Sequence, residues 1–187
     1  MKQPEKKTLP WSQDIYIKAA RFAAEAHKTQ TIPGTDLPYI MHLTNVCMEI
    51  IAAIHSEGTE KPDLALQCAL LHDSIEDAGI KFDEIRTLFG LDVAEGVLAL
   101  TKNKKIEKKL RMADSIARIK LQPREIWMVK LADRITNLQP PPAHWTREKI
   151  NRYRIEAAYI LEELGEASPS LSERLGKKIE NYPEQLL

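Results

Sequence analysis

One stretch limits what this chain can become: LALQCALLHDSIED, residues 64–77. Its first eight residues are apolar except Gln67, and Pro62-Asp63 just before them can start a helix. A helix that is apolar nearly all round has no face to give to water, so it belongs in the centre of a fold. His72 and Asp73 are expected to end that helix, with Ser74, Glu76 and Asp77 following within a turn, each of the five able to touch a metal, a proton or a water. Charge at the end of a buried helix is unfavourable unless it is paired or bound to a cation. The stretch therefore asks for two things: a fold wrapped around this helix, and a positive charge at its end.

The rest of the chain repeats the helical period. Ser12 caps a helix in which Ile15, Ala19, Phe22, Ala23 and Ala26 share a face. TIPGTDLP (31–38), with two prolines and a glycine, is a loop. Leu43, Val46, Ile50, Ile51 and Ile54 mark the next helix, and FDEIRTLF ends at Gly90 as a C-cap. DVAEGVLALT follows, and a basic helix is expected from about 106 to 121. PREIWMVKLADRITNL runs from Pro123 to about Leu138, where QPPP stops it. Pro140–Pro142 make a stiff link, Trp145 packs the next helix onto the core, and Thr146 caps that helix, which runs to about Leu164. SPSLSERLGKKIENY makes the last helix, expected to pack on the core within 165–187. There is no alternating strand pattern, no Asn-Gly hairpin, no internal repeat and no long linker. The expectation is an all-α fold, a single compact domain over residues 1–187.

Lys+Arg and Asp+Glu both number 27, so the formal net charge is zero. That excludes a general affinity for nucleic acid or anionic membrane, both of which need an excess of basic charge. No run approaches the roughly 18 apolar residues of a membrane span. The opening MKQPEKKTLPW lacks the apolar stretch of a secretory signal. Cys47 and Cys68 sit in helical apolar patterns rather than in a CxxC pair, so two core thiols in a reducing cytoplasm are expected. The expected partner is a small molecule, with a second copy of the chain left open.

Five histidines are available: His27, His42, His55, His72 and His144. His42 follows PYIM at the start of its helix, and Asp133 follows the apolar MVKLA with Asn137 four residues on, on the same face. A site made of His42, His72, Asp73 and Asp133 would offer two imidazoles and two carboxylates. That mixture suits Mn, Fe, Zn or Mg, with positions left for water and substrate. Glu76 and Asp77 would then orient a water or take its proton. Each residue also has an ordinary reading. His42 alone is a satisfied structural histidine, Asp133 alone caps or pairs with Arg134 or Lys130, and His144 is structural. The run TKNKKIEKKLR (101–111), with Lys102, Lys104 and Lys105, either shares the neutralisation of phosphate charge or is a solvated helix face. His72, Asp73, Glu76 and Asp77 together are harder to explain without a cation, because their carboxylates repel.

His42, then His72-Asp73, then Asp133 matches the H…HD…D pattern of the HD-domain metal-dependent phosphohydrolases. Within that superfamily AHKTQ (26–30), PYIMH (38–42), ALLHDSIED (69–77), FGLDVAEGVLALTK (89–102) and VKLADRITNL (129–138) together resemble the hydrolase domain of RelA/SpoT proteins. They look most like the stand-alone small alarmone hydrolases, the group that includes the metazoan SpoT homologue, and the likeness covers about residues 12–160. The resemblance implies an HD-type helical fold and one Mn2+ held by His42, His72, Asp73 and Asp133. It implies that Glu76 and Asp77 activate or place the attacking water and that Asn137 contacts the nucleoside. Tyr153 and Lys149, four apart on the next helix, would lie near the phosphates. The reaction implied is removal of the 3′-pyrophosphate from a guanosine-type alarmone, giving GDP or GTP and pyrophosphate.

The likeness breaks in one loop. The guanosine-hydrolysing relatives carry an Arg-Lys pair before PYIxH, with the arginine against the purine ring. Here no residue from Thr29 to Met41 is basic, and Ile32 or Pro33 stands roughly where the pair should be. A cation–π contact worth about 0.5–2 kcal/mol is missing. An apolar wall at Ile32 stacks a purine but reads no guanine-specific group, so (p)ppApp is expected beside (p)ppGpp; alternatively Ile32 only packs the loop. The length leaves no room for the synthetase and regulatory domains of long RelA/SpoT proteins, so the expected enzyme only degrades. Two other functions stay open. An HD phosphatase acting on a deoxynucleoside monophosphate or NADPH would release inorganic phosphate. A non-catalytic nucleotide sensor would have no use for Glu76 and Asp77.

Overall fold

A helix with no polar face needs partners on every side. The computed structural model, which describes residues 10–142 and 144–182, supplies them. Among the described residues the chain forms nine α-helices: α1 Gln13–Ala26, α2 Ile40–Glu57, α3 Pro62–Leu71, α4 Phe82–Phe89, α5 Leu91–Leu100, α6 Arg111–Lys120, α7 Arg124–Asn137, α8 Arg147–Leu164 and α9 Pro169–Asn181. Short 3-10 turns precede α6 and α9. The one extended pairing among them is an isolated bridge between Thr31 and Pro38. No helix of the described residues is long and apolar enough to cross a membrane. The opening residues 1–9 and the end of the last expected segment, 183–187, lie outside the described residues.

The apolar stretch is α3, with Leu64–Leu66 and Cys68–Leu71 all buried. It is packed by α1, α2, α5 and α7. Helix α7 is the second central element: its residues from Glu125 to Thr136 are buried except Trp127, and it touches α2, α3, α8 and α9. Glu125 is buried at the start of α7, where its carboxylate accepts from the Thr59 hydroxyl and the Lys61 N–H. That anchors α7 to the turn between α2 and α3. Helix α9 lies on α7, α8 and α2. The expected caps form: Ser12 accepts from the Ile15 N–H at 3.4 Å and Thr146 from the Lys149 N–H at 3.3 Å. Trp145 packs edge-on against Tyr153 of α8, with ring centroids 5.3 Å apart.

Two boundaries differ from expectation. Helix α3 stops at Leu71, and His72–Asp77 continues as tight turns in which the Ser74 N–H reaches Leu71 O and the Asp77 N–H reaches Asp73 O. The basic helix begins at Arg111, not near 106. The Arg111 guanidinium donates to the carbonyls of Ile106 and Lys104, folding that segment back on itself. Lys102, Lys104, Lys105, Lys108 and Lys109 would also repel one another along a helix.

Helix α5 closes on the core through Gly96. A β-carbon there would lie 2.6 Å from Ile126 Cδ1 and 2.9 Å from Cys68 Sγ. Glycine disfavours a helix interior by about 1 kcal/mol, a loss offset here by the approach of α5 to α3 and α7. Gly96→Val should lower stability by about 2 kcal/mol through overpacking, read as a lower urea midpoint with an unchanged denaturant slope.

Candidate metal centre

Three packed helices bring the expected residues together. His42 lies in the first turn of α2, His72 caps the C-terminal end of α3 with Asp73 next, and Asp133 lies in α7. His42 Nε2 is 3.4 Å from His72 Nε2 and 3.5 Å from Asp133 Oδ1, and His72 Nε2 is 3.7 Å from Asp133 Oδ1. These three residues are buried, and their donor atoms all lie within 4.8 Å of one another. Asp73 borders the cluster, with Oδ2 at 2.9 Å from His72 Nε2 and 3.8 Å from His42 Nε2.

The electrostatics ask for a cation. Burial pushes the His72 imidazolium down, but Asp73 and Asp133 outweigh it and hold its pKa well above the ordinary histidine value. Burial likewise pushes Asp133 up, and Lys130, His42 and His72 outweigh it, leaving it well below the usual carboxylate range. Asp73 is lowered in the same way, burial being overcome by His72 and then by the Tyr39 hydrogen bond. His72 Nδ1 lies 2.9 Å from the Ala69 carbonyl, which can only accept. Nδ1 therefore carries a proton, and Nε2 faces the cluster. Two imidazole nitrogens and the carboxylate of Asp133, with Asp73 beside them, fit a divalent ion of borderline or hard character. The site is suited to hold a metal ion.

Around the cluster is a pocket of about 220 Å3, lined on its polar side by Tyr39, Glu76, Asp77, Lys102, Asn137 and Tyr153 among others. Glu76 is held from the α5–α6 connection: Oε2 accepts from the Lys102 backbone N–H at 2.9 Å, and Oε1 lies 3.2 Å from Lys102 Nζ. Lys104 Nζ donates to the Glu76 carbonyl at 3.2 Å. Asp77 sits at the exposed mouth. Its pKa is raised by partial desolvation and then by Asp73 and Glu76, against the pull of Lys102 and Lys104. Asn137 Nδ2 donates to Asp133 Oδ1 at 2.5 Å. The Tyr153 ring stacks on the Arg134 guanidinium at 4.3 Å, and burial pushes its phenol up to about 12.

Not every expected residue reaches the pocket. Ile32 is half-buried in its loop, whose backbone closes on itself through the Ile32 N–H to Leu37 O, and it does not line the cavity. Lys149 Nζ lies 3.9 Å over the Trp145 ring rather than in the pocket. Lys104 touches the site only through the Glu76 carbonyl. Three lining residues were absent from the expected site set, apolar Leu100 and the polar Tyr39 and Lys130. The Tyr39 hydroxyl donates to Asp73 Oδ2 at 2.5 Å, and buried Lys130 reaches Asp133 Oδ2 at 3.1 Å. The signal of the two polar ones was spacing: each stands three residues before a candidate ligand, His42 or Asp133, on the same helical face, and Lys130 was expected only as an ordinary partner of Asp133. Tyr39 is itself stacked on buried His27, whose Nδ1 meets Gln30 Oε1 at 2.7 Å. The Gln30 amide then donates to the Asp77 carbonyl at 2.7 Å. Partners that orient ligands typically contribute 10–100-fold in metal affinity. Tyr39→Phe should weaken divalent-metal binding about tenfold, measured by competition with a chromogenic chelator.

Residues 19–169 match the model of the HD-domain family. The chain is 29% identical over 167 residues to the guanosine-3′,5′-bis(diphosphate) 3′-pyrophosphohydrolase MESH1 of Drosophila melanogaster, covering 86% of this chain and 90% of that one. It is 33% identical over 144 residues to MESH1 of Xenopus tropicalis, covering 74% and 78%. Among solved structures it superposes on a metazoan orthologue of SpoT that hydrolyses ppGpp and plays a role in starvation responses. That match has a TM-score of 0.78 and 27% identity over 90% of this chain and 96% of the other. The chain belongs to the HD-domain family and, within it, to the family of the MESH1 3′-pyrophosphohydrolases.

Proposed function

We propose that this protein is a metal-dependent hydrolase that removes the 3′-pyrophosphate from (p)ppGpp and from (p)ppApp. The observation that carries the reading is a buried cluster of His42, His72 and Asp133, bordered by Asp73, opening into a pocket that also holds Glu76, Asp77 and Lys102. At about 220 Å3 the pocket has room for the reacting phosphates but not for a whole nucleotide. The nucleoside therefore lies across the mouth, towards Asn137 and Tyr153.

His42, His72, Asp73 and Asp133 would hold the ion, taken as Mn2+ from the family resemblance, one of several divalent ions that mixed nitrogen and oxygen donors suit. A divalent ion there would supply positive charge against the transferred phosphoryl group and make a neighbouring water more acidic. The chain's own residues do the rest. Asp77 takes the water's proton, favoured in that task by its raised pKa. Glu76, held by two donors of Lys102, keeps the water in line as a fixed acceptor. Lys102 and Lys104 share the phosphate charge, and Lys149 joins them by leaving the Trp145 ring. Tyr153, neutral at ordinary pH, donates from its phenol. Water adds to the phosphorus nearest the 3′ oxygen as Asp77 takes its proton, the P–O bond to the ribose breaks, the 3′ oxygen takes a proton from solvent, and GDP or GTP (ADP or ATP from (p)ppApp) leaves with pyrophosphate as the second product. Ile32, in a loop with no basic residue, supports the absence of a guanine-selecting contact.

Metal-loaded protein given ppGpp and ppApp separately should release pyrophosphate, not orthophosphate, from both, resolved by anion exchange. Orthophosphate from deoxynucleoside monophosphates or NADPH, with both alarmones spared, would overturn the reading. Glu76→Gln should lower kcat at least 100-fold while nucleotide binding persists. Lys104→Met removes a positive charge that favours the Asp77 carboxylate, so the Asp77 pKa rises. The acid limb of kcat against pH should accordingly move to higher pH.

A further inference from the structure

The C-terminal end of α5 and the site share one peptide group. The last carbonyls of a helix have no partners within it. Here Arg118 of α6 takes them: Nη1 donates to Leu98 O and to Ala99 O at 2.8 Å each, and Nη2 donates to Thr101 O at 2.8 Å. The guanidinium is itself fixed by Asp114 one turn earlier, with Nε 2.9 Å and Nη2 2.8 Å from Asp114 Oδ2. A cation at this end of a helix is also favoured by the helix dipole. Capping alone would account for Leu98 and Ala99.

Thr101 O is a different matter. It belongs to the peptide whose other edge is the Lys102 N–H, and that N–H donates to Glu76 Oε2 at 2.9 Å. The carbonyl and N–H of a trans peptide point in opposite directions in one plane. Arg118 therefore grips one edge of the plane and Glu76 is held by the other. A carbonyl that accepts from a cation polarises its amide and strengthens the N–H as a donor. The Thr101 hydroxyl donates to Val97 O at 2.9 Å, which ties the same residue back to α5. We propose that Arg118, outside the pocket, is a positioning residue for Glu76 that acts across the Thr101–Lys102 peptide.

The proposal rests on the reading of Glu76 as the carboxylate beside the reacting water, and its test has an arm that does not need that reading. In 15N-labelled protein loaded with diamagnetic Mg2+ or Zn2+ the Lys102 amide should be shifted downfield and slow to exchange. Glu76→Gln should move it upfield, and Arg118→Met should move it the same way with at least tenfold faster exchange. Arg118→Lys should resemble Arg118→Met, because an ammonium lacks the planar fork that spans three carbonyls. Should Arg118→Met not fold, Asp114→Asn, which only loosens the guanidinium, should give an intermediate shift. A Lys102 amide unchanged in every folded variant, with only the melting temperature lowered, would mean that Arg118 caps α5 and nothing more.

In the kinetic arm Arg118→Met should lower kcat for pyrophosphate release about tenfold, with KM within about twofold. In a Glu76→Gln background the same change should lower the residual kcat less than twofold. Equal losses in both backgrounds would overturn the proposal. If the wild-type protein releases no pyrophosphate, the alarmone reading fails, and the amide arm still decides the role of Arg118.

Discussion

His42, His72 and Asp133 crowd together at the buried end of α3 with Asp73 bordering the two imidazoles, and the rest of the molecule is arranged to make that tolerable. Carboxylates of like sign cannot be buried together without compensation. Compensation comes in layers. Lys130 occupies the second oxygen of Asp133, Asn137 donates to the first, and the Tyr39 hydroxyl satisfies Asp73. Such a cluster is suited to hold a divalent ion. The apolar character of α3 follows from the same constraint, because a helix delivering its end to the middle of a fold must pack on all sides.

Further out, the charge pattern changes sign. Lys102 and Lys104 come from the connection between α5 and α6 and meet Glu76 at the mouth of the pocket. An acidic floor with a basic rim suits a ligand that brings its own negative charge to a bound cation. The rim is built on a turn, and that turn owes its shape to arginines. Arg111 folds 104–106 back, and Arg118 holds the end of α5. The five-lysine run is thus neither a plain solvated helix nor wholly a substrate contact, since only Lys102 lines the pocket.

Much of this was visible in the order of residues. Helical period, the proline stops and the caps at Ser12 and Thr146 are local properties, settled within a turn or two of chain, and they appear where they were expected. The HD pair after an apolar run announced the site because the chemistry of burying charge is the same in any fold. Tyr39 and Lys130 were harder to see, as an aromatic and a lysine on helical faces have many ordinary uses. The roles of Ile32 and Lys149 depended on loop closure and on a competing aromatic ring, which no spacing reveals.

The amino-acid order alone sufficed for an all-helical chain, for the central position of the helix through 64–71 and for a set of ionisable groups suited to a cation, because those depend on period, propensity and desolvation. Only the packed structure decided which atoms face one another across 17 to 91 positions of chain: Tyr39 with Asp73, His42 with Asp133, and Thr101 with Arg118 beside Glu76. Such pairings depend on how helices cross and where turns close. Those are properties of the whole packed core rather than of any one segment.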